Sequence, residues 1–229
     1  MEYRLKMTDQ KSAQIVLASN SPRRKELIRL TGWTFRVVPA DVDETPLPGE
    51  PADSYVLRLA EAKACAVAEQ ARPGELVVAA DTTVADDDEI LGKPQDAAEA
   101  RQMLRILRGR VHQVYTALAV LDPSSGELVT ELAATDVPMR AYTDEDIEAY
   151  IQTGDPFDKA GSYAIQHPDF RPVSSLTGCY ANVVGLPLCH LARAMERFGV
   201  TPERDLPAGC QSHLDYDCTV YAQVQEGAL

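Results

Sequence analysis

Several features that would mark other classes of protein are absent from this chain of 229 residues. No run of eighteen apolar residues occurs, and the polar start MEYRLKMTDQKSAQ lacks the apolar stretch of a signal peptide. We therefore expect neither membrane insertion nor export, and we expect a cytoplasmic protein. Internal repeats and low-complexity tracts are also absent, and 45% hydrophobic residues suffice for one large domain or two small lobes.

Cysteine and histidine are too few and too scattered to predict a metal site of their own. The five cysteines form no CxxC pair and are odd in number, so we expect reduced thiols. With four histidines at no metal-ligand spacing, no Gly-x-Ser-x-Gly motif and no Cys–His signature, a serine or cysteine nucleophile has no support. These residues are Cys65, Cys179, Cys189, Cys210, Cys218, His112, His167, His190 and His213.

Positive charge is also in deficit over the whole chain. The formal net charge of -13 argues against nonspecific nucleic-acid binding, which depends on a basic surface. The charge is uneven, because residues 1–40 contain eight Lys or Arg against three Asp or Glu and the remainder carries a net -18. A small anion can therefore still be attracted to the N-terminal segment. The acidic remainder favours solubility, with metal ligation as the alternative for some of its side chains.

Short apolar runs between turn residues predict strands, and segments of helical period predict helices. Strands are expected near 15–18, 34–39, 75–84, 111–120, 128–139 and 179–184. Helices are expected from Pro22, over 53–71 and 96–108, from the cap Thr143, and over 187–198. Strands interleaved with helices, together with one hairpin, indicate an α/β fold with a mixed sheet and flanking helices. Residues 201–229 are polar and without a clear period, which predicts a loosely held tail.

An anion site is suggested where the first predicted helix begins. The run from Ser19 to Arg24, SNSPRR, supplies free backbone N–H groups, a favourable helix dipole, two hydroxyls and two guanidinium groups. Ser19, Arg23 and Arg24 are therefore candidate phosphate ligands. A capped helix with solvated arginines explains these residues equally well when they are taken alone.

Two lysines are further candidates for binding an anion. Lys63 shares one helical face with Val56, Leu59 and Val67, and a lysine on an apolar face favours an anionic partner. The alternative, which is the commoner arrangement, packs the stem and lets the ammonium reach water. Lys93 follows a glycine in the turn LGKP, where a glycine permits close approach of the backbone.

Two acids are candidates for a divalent metal. Asp81 follows the apolar run VVAA, which places it at the carboxyl end of a buried strand, the edge where open α/β sheets bind ligands. An ionised carboxylate there costs free energy unless a cation or hydrogen-bond donors compensate. Glu44, in the acidic loop DVDE, could join it in holding Mg²⁺, which favours one or two carboxylates plus phosphate oxygens. An Asx turn or N-cap for Asp81 and simple solvation for Glu44 stay open.

The segment GDPFDKAGSYAIQ offers a charge and an amide to a ligand. Lys159 follows Asp158, and Gln166 ends the segment. An amide can read a base edge through its paired donor and acceptor atoms. A surface position for Gln166 is the alternative.

Seven segments together resemble the Maf family of nucleotide pyrophosphatases in their order and approximate spacing. They are LASNSPRRKEL, DVDE, RLAEAKA, AADTTV, LGKP, GDPFDKAGSYAIQ and ANVVGLPL, and they cover about residues 15–199. The resemblance implies an inosine-triphosphatase-like α/β fold with two lobes around a cleft and a divalent metal, Mg²⁺, Mn²⁺ or Co²⁺. It also implies a house-cleaning hydrolase that cuts a nucleoside triphosphate between its α and β phosphates, releasing pyrophosphate.

The same resemblance implies roles for individual residues. Glu44 and Asp81 would hold the metal, Asp81 would also activate the attacking water, and Lys63 would complete the catalytic set. Ser19, Arg23, Arg24, Lys63 and Lys93 would bind phosphate, with Lys159 lining the same cleft, while Thr82 and Gln166 would lie near the nucleobase. The combination of Arg24, Thr82 and Gln166 resembles the branch that acts on dTTP and UTP rather than the 7-methyl-GTP branch.

Two segments depart from the family pattern. HPDFRPVSSLT, which follows Gln166, replaces an expected segment rich in glycine and hydrophobic residues, and residues 201–229 have no counterpart. We therefore expect an N-terminal lead over 1–14, a catalytic domain over 15–200 and a C-terminal extension of unknown role over 201–229.

Alternative functions are a non-catalytic nucleotide-binding regulator of cell division and a different phosphate enzyme, such as a phosphatase or a sugar-nucleotide transferase. Two acids beside two pocket lysines favour an enzyme, since a pure binder has no need of carboxylates beside a triphosphate. The expected partners are a nucleoside triphosphate, including modified pyrimidine nucleotides, and a second copy in a homodimer, with neither nucleic acid nor membrane.

Overall fold

The computed structural model describes residues 14–87 and 89–229. The predicted lead over 1–14 lies, except for Gln14, outside the described residues, as do three of the eight basic residues of the N-terminal segment. The strands are β1 (Gln14–Leu17), β2 (Thr34–Val37), β3 (Glu75–Asp86), β4 (Glu89–Leu91), β5 (Val111–Asp122) and β6 (Glu127–Pro138).

Helices cover the sheet. They are α1 (Pro22–Arg29), α2 (Ala52–Ala68), α3 (Ala97–Leu107), α4 (Asp144–Gln152), α5 (Tyr180–Val184), α6 (Leu188–Glu196), α7 (Leu206–Leu214) and α8 (Tyr221–Gln225). Two 3₁₀ turns, Asp155–Asp158 and Ala160–Ser162, follow α4. No helix in the described part of the chain has the length and apolar character needed to span a membrane.

The strands form one mixed sheet in the order β2-β1-β3-β5-β6, with β4 paired to β3. β1 runs parallel to β2 and β3, whereas β3, β5 and β6 are antiparallel neighbours. This architecture confirms the predicted mixed sheet with flanking helices. β1 ends at Leu17, opposite Val78, while β3 continues to Asp86, so β3 extends well beyond the end of its parallel neighbour.

Alternation along β3 directs its side chains to two different layers. Val77 and Ala79 pack in the cluster formed with α2, and Val78 and Ala80 pack on the opposite face with α1, α5 and α6. A third cluster lies around α3 and α4. Because both faces of the central strand are covered, its sequence reads as a continuous apolar run rather than an alternating one.

Local capping signals place the helix starts correctly. Ser21 caps α1 by accepting a hydrogen bond from the backbone N–H of Arg24, and Pro22 occupies the first turn. Thr143 caps α4 through a reciprocal capping box with Asp146. Both predicted starts are confirmed.

The strand predicted near 179–184 is wrong, because this segment forms the short helix α5. A segment this short does not distinguish a buried strand from a buried helix by its period. The amide of Asn182 donates to the backbone oxygen of Val114 and to the hydroxyl of Thr135, and Gly185 ends the helix with φ of 110°. These long-range contacts favour the helix and are invisible in the local sequence.

The loosely held tail predicted beyond residue 200 is also wrong. Its residues form α7 and α8, and Leu206, Leu214 and Val224 are buried. Asp205 caps α7 by accepting from the N–H of Ala208. The apolar residues are too widely spaced to give a periodic signal, yet each contributes to the core.

All five cysteines are free thiols, as predicted. Four of them, two from the region around α5 and α6 and two from the C-terminal extension, line one apolar pocket; they are Cys179, Cys189, Cys210 and Cys218. Burial raises the pKa of the Cys179 and Cys210 thiols to about 12 and that of Cys189 to about 11. These three thiols are therefore packing groups rather than nucleophiles.

Candidate active site

A cleft of about 620 Å³ opens where β3 passes the end of β1. All ten residues singled out from the sequence line it: Ser19, Arg23, Arg24, Glu44, Lys63, Asp81, Thr82, Lys93, Lys159 and Gln166. They come from the start of α1, the acidic loop, α2, β3, the turn after β4 and the segment after α4. The fold therefore brings together residues that are distant in sequence.

Lys63 is the centre of the charged part of the cleft. Its side chain is 10% exposed, and its Nζ lies 2.5 Å from Asp81 Oδ1 and 2.6 Å from Glu44 Oε1. The alternative in which the ammonium escapes to water is wrong, because α2 turns this apolar face toward β3 and the ammonium meets two carboxylates there. A buried charge requires such partners.

Asp81 does not lie at the carboxyl end of β3, so that prediction is wrong: the strand continues to Asp86 and Asp81 pairs with Ala117 of β5. The carboxylate still faces a cleft, because β1 ends opposite Val78 and leaves this part of β3 without a parallel neighbour. Burial raises the pKa of Asp81, against the opposing positive charges of Lys63 and Arg24.

The acidic loop is fastened so that Glu44 faces Lys63. The Tyr55 hydroxyl of α2 donates to the backbone oxygen of Glu44 at 2.8 Å. Burial acts to raise the pKa of Glu44, but the hydrogen bond from Lys63 and the charges of Lys63 and Lys93 outweigh it, and the pKa lies below its usual value. Lys63 acts to lower the pKa of both acids, but burial outweighs it at Asp81 and not at Glu44, so the two pKa values shift in opposite directions.

Lys93 lies at the exposed side of this group, with its Nζ 4.0 Å from Glu44 Oε2. The Gly92 carbonyl accepts a hydrogen bond from the N–H of Gly161 at 3.1 Å, although a Cβ built at Gly92 would meet no atom within 4 Å. Gly161 itself is closely packed, because a Cβ there would lie 2.9 Å from the side chain of Val84. Lys93 is therefore a solvent-facing cation at the edge of the cleft.

The donor set fits a hard divalent ion. Glu44 and Asp81 both lie within 2.6 Å of one ammonium nitrogen, so a single cation can contact both carboxylates. No group of three His, Cys, Asp or Glu suited to a metal occurs among residues 14–87 and 89–229. Two carboxylates with water and phosphate oxygens filling the other positions is the arrangement typical of Mg²⁺.

Arg24 crosses the other side of the cleft instead of pointing freely at solvent. Its Nε donates to Gly185 O at 2.8 Å, and one terminal nitrogen donates to Thr82 Oγ1 at 2.9 Å. The other terminal nitrogen lies 3.4 Å from Ser19 Oγ, which also accepts from the N–H of Ser21. Arg24 therefore ties the start of α1 to β3 and to the end of α5.

Thr116 and Asn182 are two residues of this network that sequence reasoning missed. Thr116 Oγ1 lies 2.9 Å from Thr82 Oγ1 and 3.0 Å from Asn182 O, to which it donates. Thr116 stands directly opposite Thr82 in the β3–β5 pairing. The signal was the register of the two strands, which a single sequence does not reveal.

Lys159 and Gln166 line the cleft in different ways. Lys159 is buried, and its Nζ contacts Asp155 Oδ1 at 2.8 Å and Asp158 Oδ1 at 2.5 Å. Its charge is balanced inside its own turn, so it differs from Arg23 and Lys93. Gln166 is exposed at the cleft rim.

Fold and site together define a class: an α/β protein whose cleft combines paired carboxylates with several cations, which suits a metal-bound polyphosphate. A family model described as "Maf-like protein" matches residues 14–198. The dTTP/UTP pyrophosphatase of Geobacter sp. (strain M21) is 49% identical over 189 residues, which cover 82% of this chain and 97% of the relative. The chain belongs to the Maf family.

A second curated relative matches over a similar share of the chain. The dTTP/UTP pyrophosphatase of Thermomicrobium roseum is 49% identical over 205 residues, covering 86% of this chain and 91% of the relative. Among solved structures, the Staphylococcus aureus Ham1 protein matches with a TM-score of 0.39 and 17% identity, over 56% of this chain and 72% of that chain. That likeness is too distant to carry an argument. Residues 199–229 lie outside the family match.

Proposed function

We propose that this chain is a nucleoside triphosphate pyrophosphatase that hydrolyses dTTP and UTP, and modified pyrimidine nucleotides, to the monophosphate and pyrophosphate. The observation that carries the proposal is Lys63 held between Glu44 and Asp81 in a cleft lined by further cations. The relatives named dTTP/UTP pyrophosphatase, matched over nearly their whole length, support the substrate pair.

Glu44 and Asp81 would hold the divalent metal, Mg²⁺, Mn²⁺ or Co²⁺. When bound, the metal neutralises negative charge on the phosphate oxygens. Lys63 adds a fixed positive charge at the same carboxylates. Arg23 and Lys93, which both line the cleft, bind the outer phosphates, and Ser19 contributes its hydroxyl just before α1.

Asp81 accepts the proton of the attacking water. The water oxygen forms a bond to the α-phosphorus, the bond from that phosphorus to the α–β bridging oxygen breaks, and pyrophosphate leaves with the bonding electrons. A carboxylate whose pKa is raised by burial holds a proton better than a solvated one, which suits a general base.

The nucleobase would lie toward Arg24, Thr82 and Gln166. Thr82 presents a hydroxyl fixed by Arg24 and Thr116, and Gln166 at the rim carries both a donor and an acceptor. Lys159 lines the same wall, where its aspartates hold it in place. We also propose, from the family resemblance, a cytoplasmic homodimer with residues 15–200 as its catalytic domain.

The test is a panel of nucleotides with Mg²⁺ or Mn²⁺, in which pyrophosphate and orthophosphate are measured separately. The panel contains dTTP, UTP, CTP, GTP, 7-methyl-GTP and pseudouridine triphosphate. We expect pyrophosphate from dTTP, UTP and pseudouridine triphosphate. Pyrophosphate from other bases only would overturn the base assignment, and orthophosphate would indicate a phosphatase. Nucleotide binding without any product would indicate a regulatory protein.

A further inference from the structure

The C-terminal extension, residues 201–229, contacts the segment that leads into α5. The hydroxyl of Tyr216 accepts a hydrogen bond from the N–H of Gly178 at 3.2 Å and lies 3.1 Å from both Leu176 O and Gly178 O, to which it can donate. Its ring packs against Tyr180, the first residue of α5, with centroids 5.3 Å apart. One side chain outside the family match thus meets three backbone groups inside it.

The contacted segment ends the divergent loop that follows Gln166. The earlier part of this loop is held by Arg140, whose guanidinium donates to Arg171 O at 2.6 Å and Phe170 O at 2.7 Å. The later part, around Gly178, turns with φ of 141°, and a Cβ there would lie 3.0 Å from Thr135 Cγ2. Tyr216 therefore fastens the end of the loop at a conformation that favours glycine.

The far end of α5 reaches the nucleobase side of the cleft. Gly185 O accepts from Arg24 Nε at 2.8 Å, and Asn182 O accepts from Thr116, whose hydroxyl contacts that of Thr82. α5 is only five residues long, so displacement at Gly178 moves both acceptors with it. Hydrogen bonds at both ends of α5, joined by its backbone, thus connect Tyr216 with Arg24 and Thr82.

We propose that Tyr216 is a positioning residue for base selection, through which the extension sets α5 and hence the Arg24–Thr82 pair. This inference rests on the proposed function, because it takes that pair to lie at the nucleobase. Residues 199–229 lie outside the family match, so this contact comes from a part of the chain that the family model does not cover. Tyr216 itself does not line the cleft and is not a catalytic residue.

Tyr216→Phe in the full chain tests the inference, since it keeps the ring on Tyr180 and removes only the hydroxyl. Loss of about one hydrogen bond's free energy predicts a KM for dTTP and UTP raised about fivefold, with kcat within twofold of wild type. The ratio of kcat/KM for dTTP to that for CTP should fall by a similar factor. Tyr221→Phe, an exposed tyrosine in the same extension, is the matched control and should leave all three values unchanged.

The outcomes separate the two proposals. Wild-type KM and base ratio in Tyr216→Phe would overturn the inference while pyrophosphate release keeps the proposed function. A parallel fall in kcat with unchanged base ratio would indicate general destabilisation and would also overturn it. If the wild type releases no pyrophosphate, the proposed function fails, and calorimetric affinity for dTTP against CTP decides the positioning role by the same comparison.

Discussion

At the residue scale, the two carboxylates that share Lys63 differ in what surrounds them. Asp81 is buried in the sheet, which raises its pKa, whereas Glu44 is on a half-open loop and its pKa is lowered. Two acids in contact with one cation can therefore take different parts in a reaction. The buried one is suited to accept a proton, and the accessible one is suited to hold charge.

Asp81→Asn tests that division. It removes a charge and a base with little change in volume, so we expect kcat to fall by roughly 10² to 10⁴ while calorimetry still detects nucleotide binding. Asp43→Asn, an exposed acid in the same loop as Glu44, is the control and should keep wild-type turnover. Near-normal rates in Asp81→Asn would remove Asp81 from the mechanism.

His112 makes stability depend on pH. It is fully buried against Tyr163, and burial lowers its pKa to about 4 from a usual 6.5. Between those values the unfolded chain binds the proton and the folded chain does not, so stability is lost as pH falls through this range.

The measurement is urea unfolding of His112→Gln and of the wild type at pH 7, 6 and 5. Between pH 7 and pH 5, the free energy of unfolding of the wild type should fall by about 2 kcal/mol more than that of the variant. His213→Gln, at an exposed site, should run parallel to the wild type. Parallel curves for His112→Gln would mean that His112 is protonated in the folded protein.

At the element scale, α5 is held by two linked hydroxyl groups. Thr82 of β3 contacts Thr116 of β5, and Thr116 donates to the backbone oxygen of Asn182 in α5. Thr116→Val keeps the shape of the side chain and removes the hydroxyl between Thr82 and Asn182 O. An unsatisfied buried acceptor costs about 1–3 kcal/mol of unfolding free energy. We expect that loss in chemical denaturation, together with a severalfold higher KM for dTTP and a kcat near wild type.

Thr130→Val is the control, because Thr130 lies on β6 away from the cleft lining. If both valine variants show the same unfolding free energy and the same KM for dTTP, the Thr116 hydroxyl has no part in holding α5. An unchanged KM with lowered stability would restrict Thr116 to a role in folding.

The elements also show where sequence reasoning succeeds and where it stops. Capping residues at Ser21 and Thr143 and the helical face of Lys63 depend on near neighbours, so the helix starts and the buried lysine face could be predicted. The helix α5 and the Thr82–Thr116 contact depend on strand register and on partners distant in sequence. Motif recognition supplied the residues of the cleft, but their hydrogen-bond partners required coordinates.

At the scale of the whole molecule, one arginine links the end of the C-terminal extension to the core. Arg193 of α6 pairs with Glu131 of β6 and donates to Val224 O at 2.8 Å and to Leu229 O at 2.5 Å. The same side chain therefore connects the sheet edge, α6 and the end of the chain. The extension is part of the packed structure, although its apolar residues show no helical period in the sequence.

Arg193→Ala should release α8 and leave Glu131 without its partner. We expect a loss of about 1–3 kcal/mol and faster amide exchange over 221–229, because a half-buried carboxylate becomes unpaired. Arg197→Ala, an exposed arginine just after α6, serves as the control. Unchanged exchange at the C-terminus would show that α8 is held by apolar contacts alone.

Asp81 and Thr82 are consecutive residues of β3, so the pleat sends the first toward α2 and the second toward α5. The two faces of the strand therefore differ. The face toward α2 carries the Asp81–Lys63 ion pair, and the face toward α5 carries the Thr82–Thr116 hydroxyl contact. Under the proposed function, a substitution at Thr82 or Thr116 alters the nucleobase side while the ion pairs of Lys63 with Glu44 and Asp81 stay in place. A slip of one residue in the β3–β5 pairing would turn Asp81 toward α5 and Thr82 toward α2. The ion pair and the hydroxyl contact therefore both require the observed register.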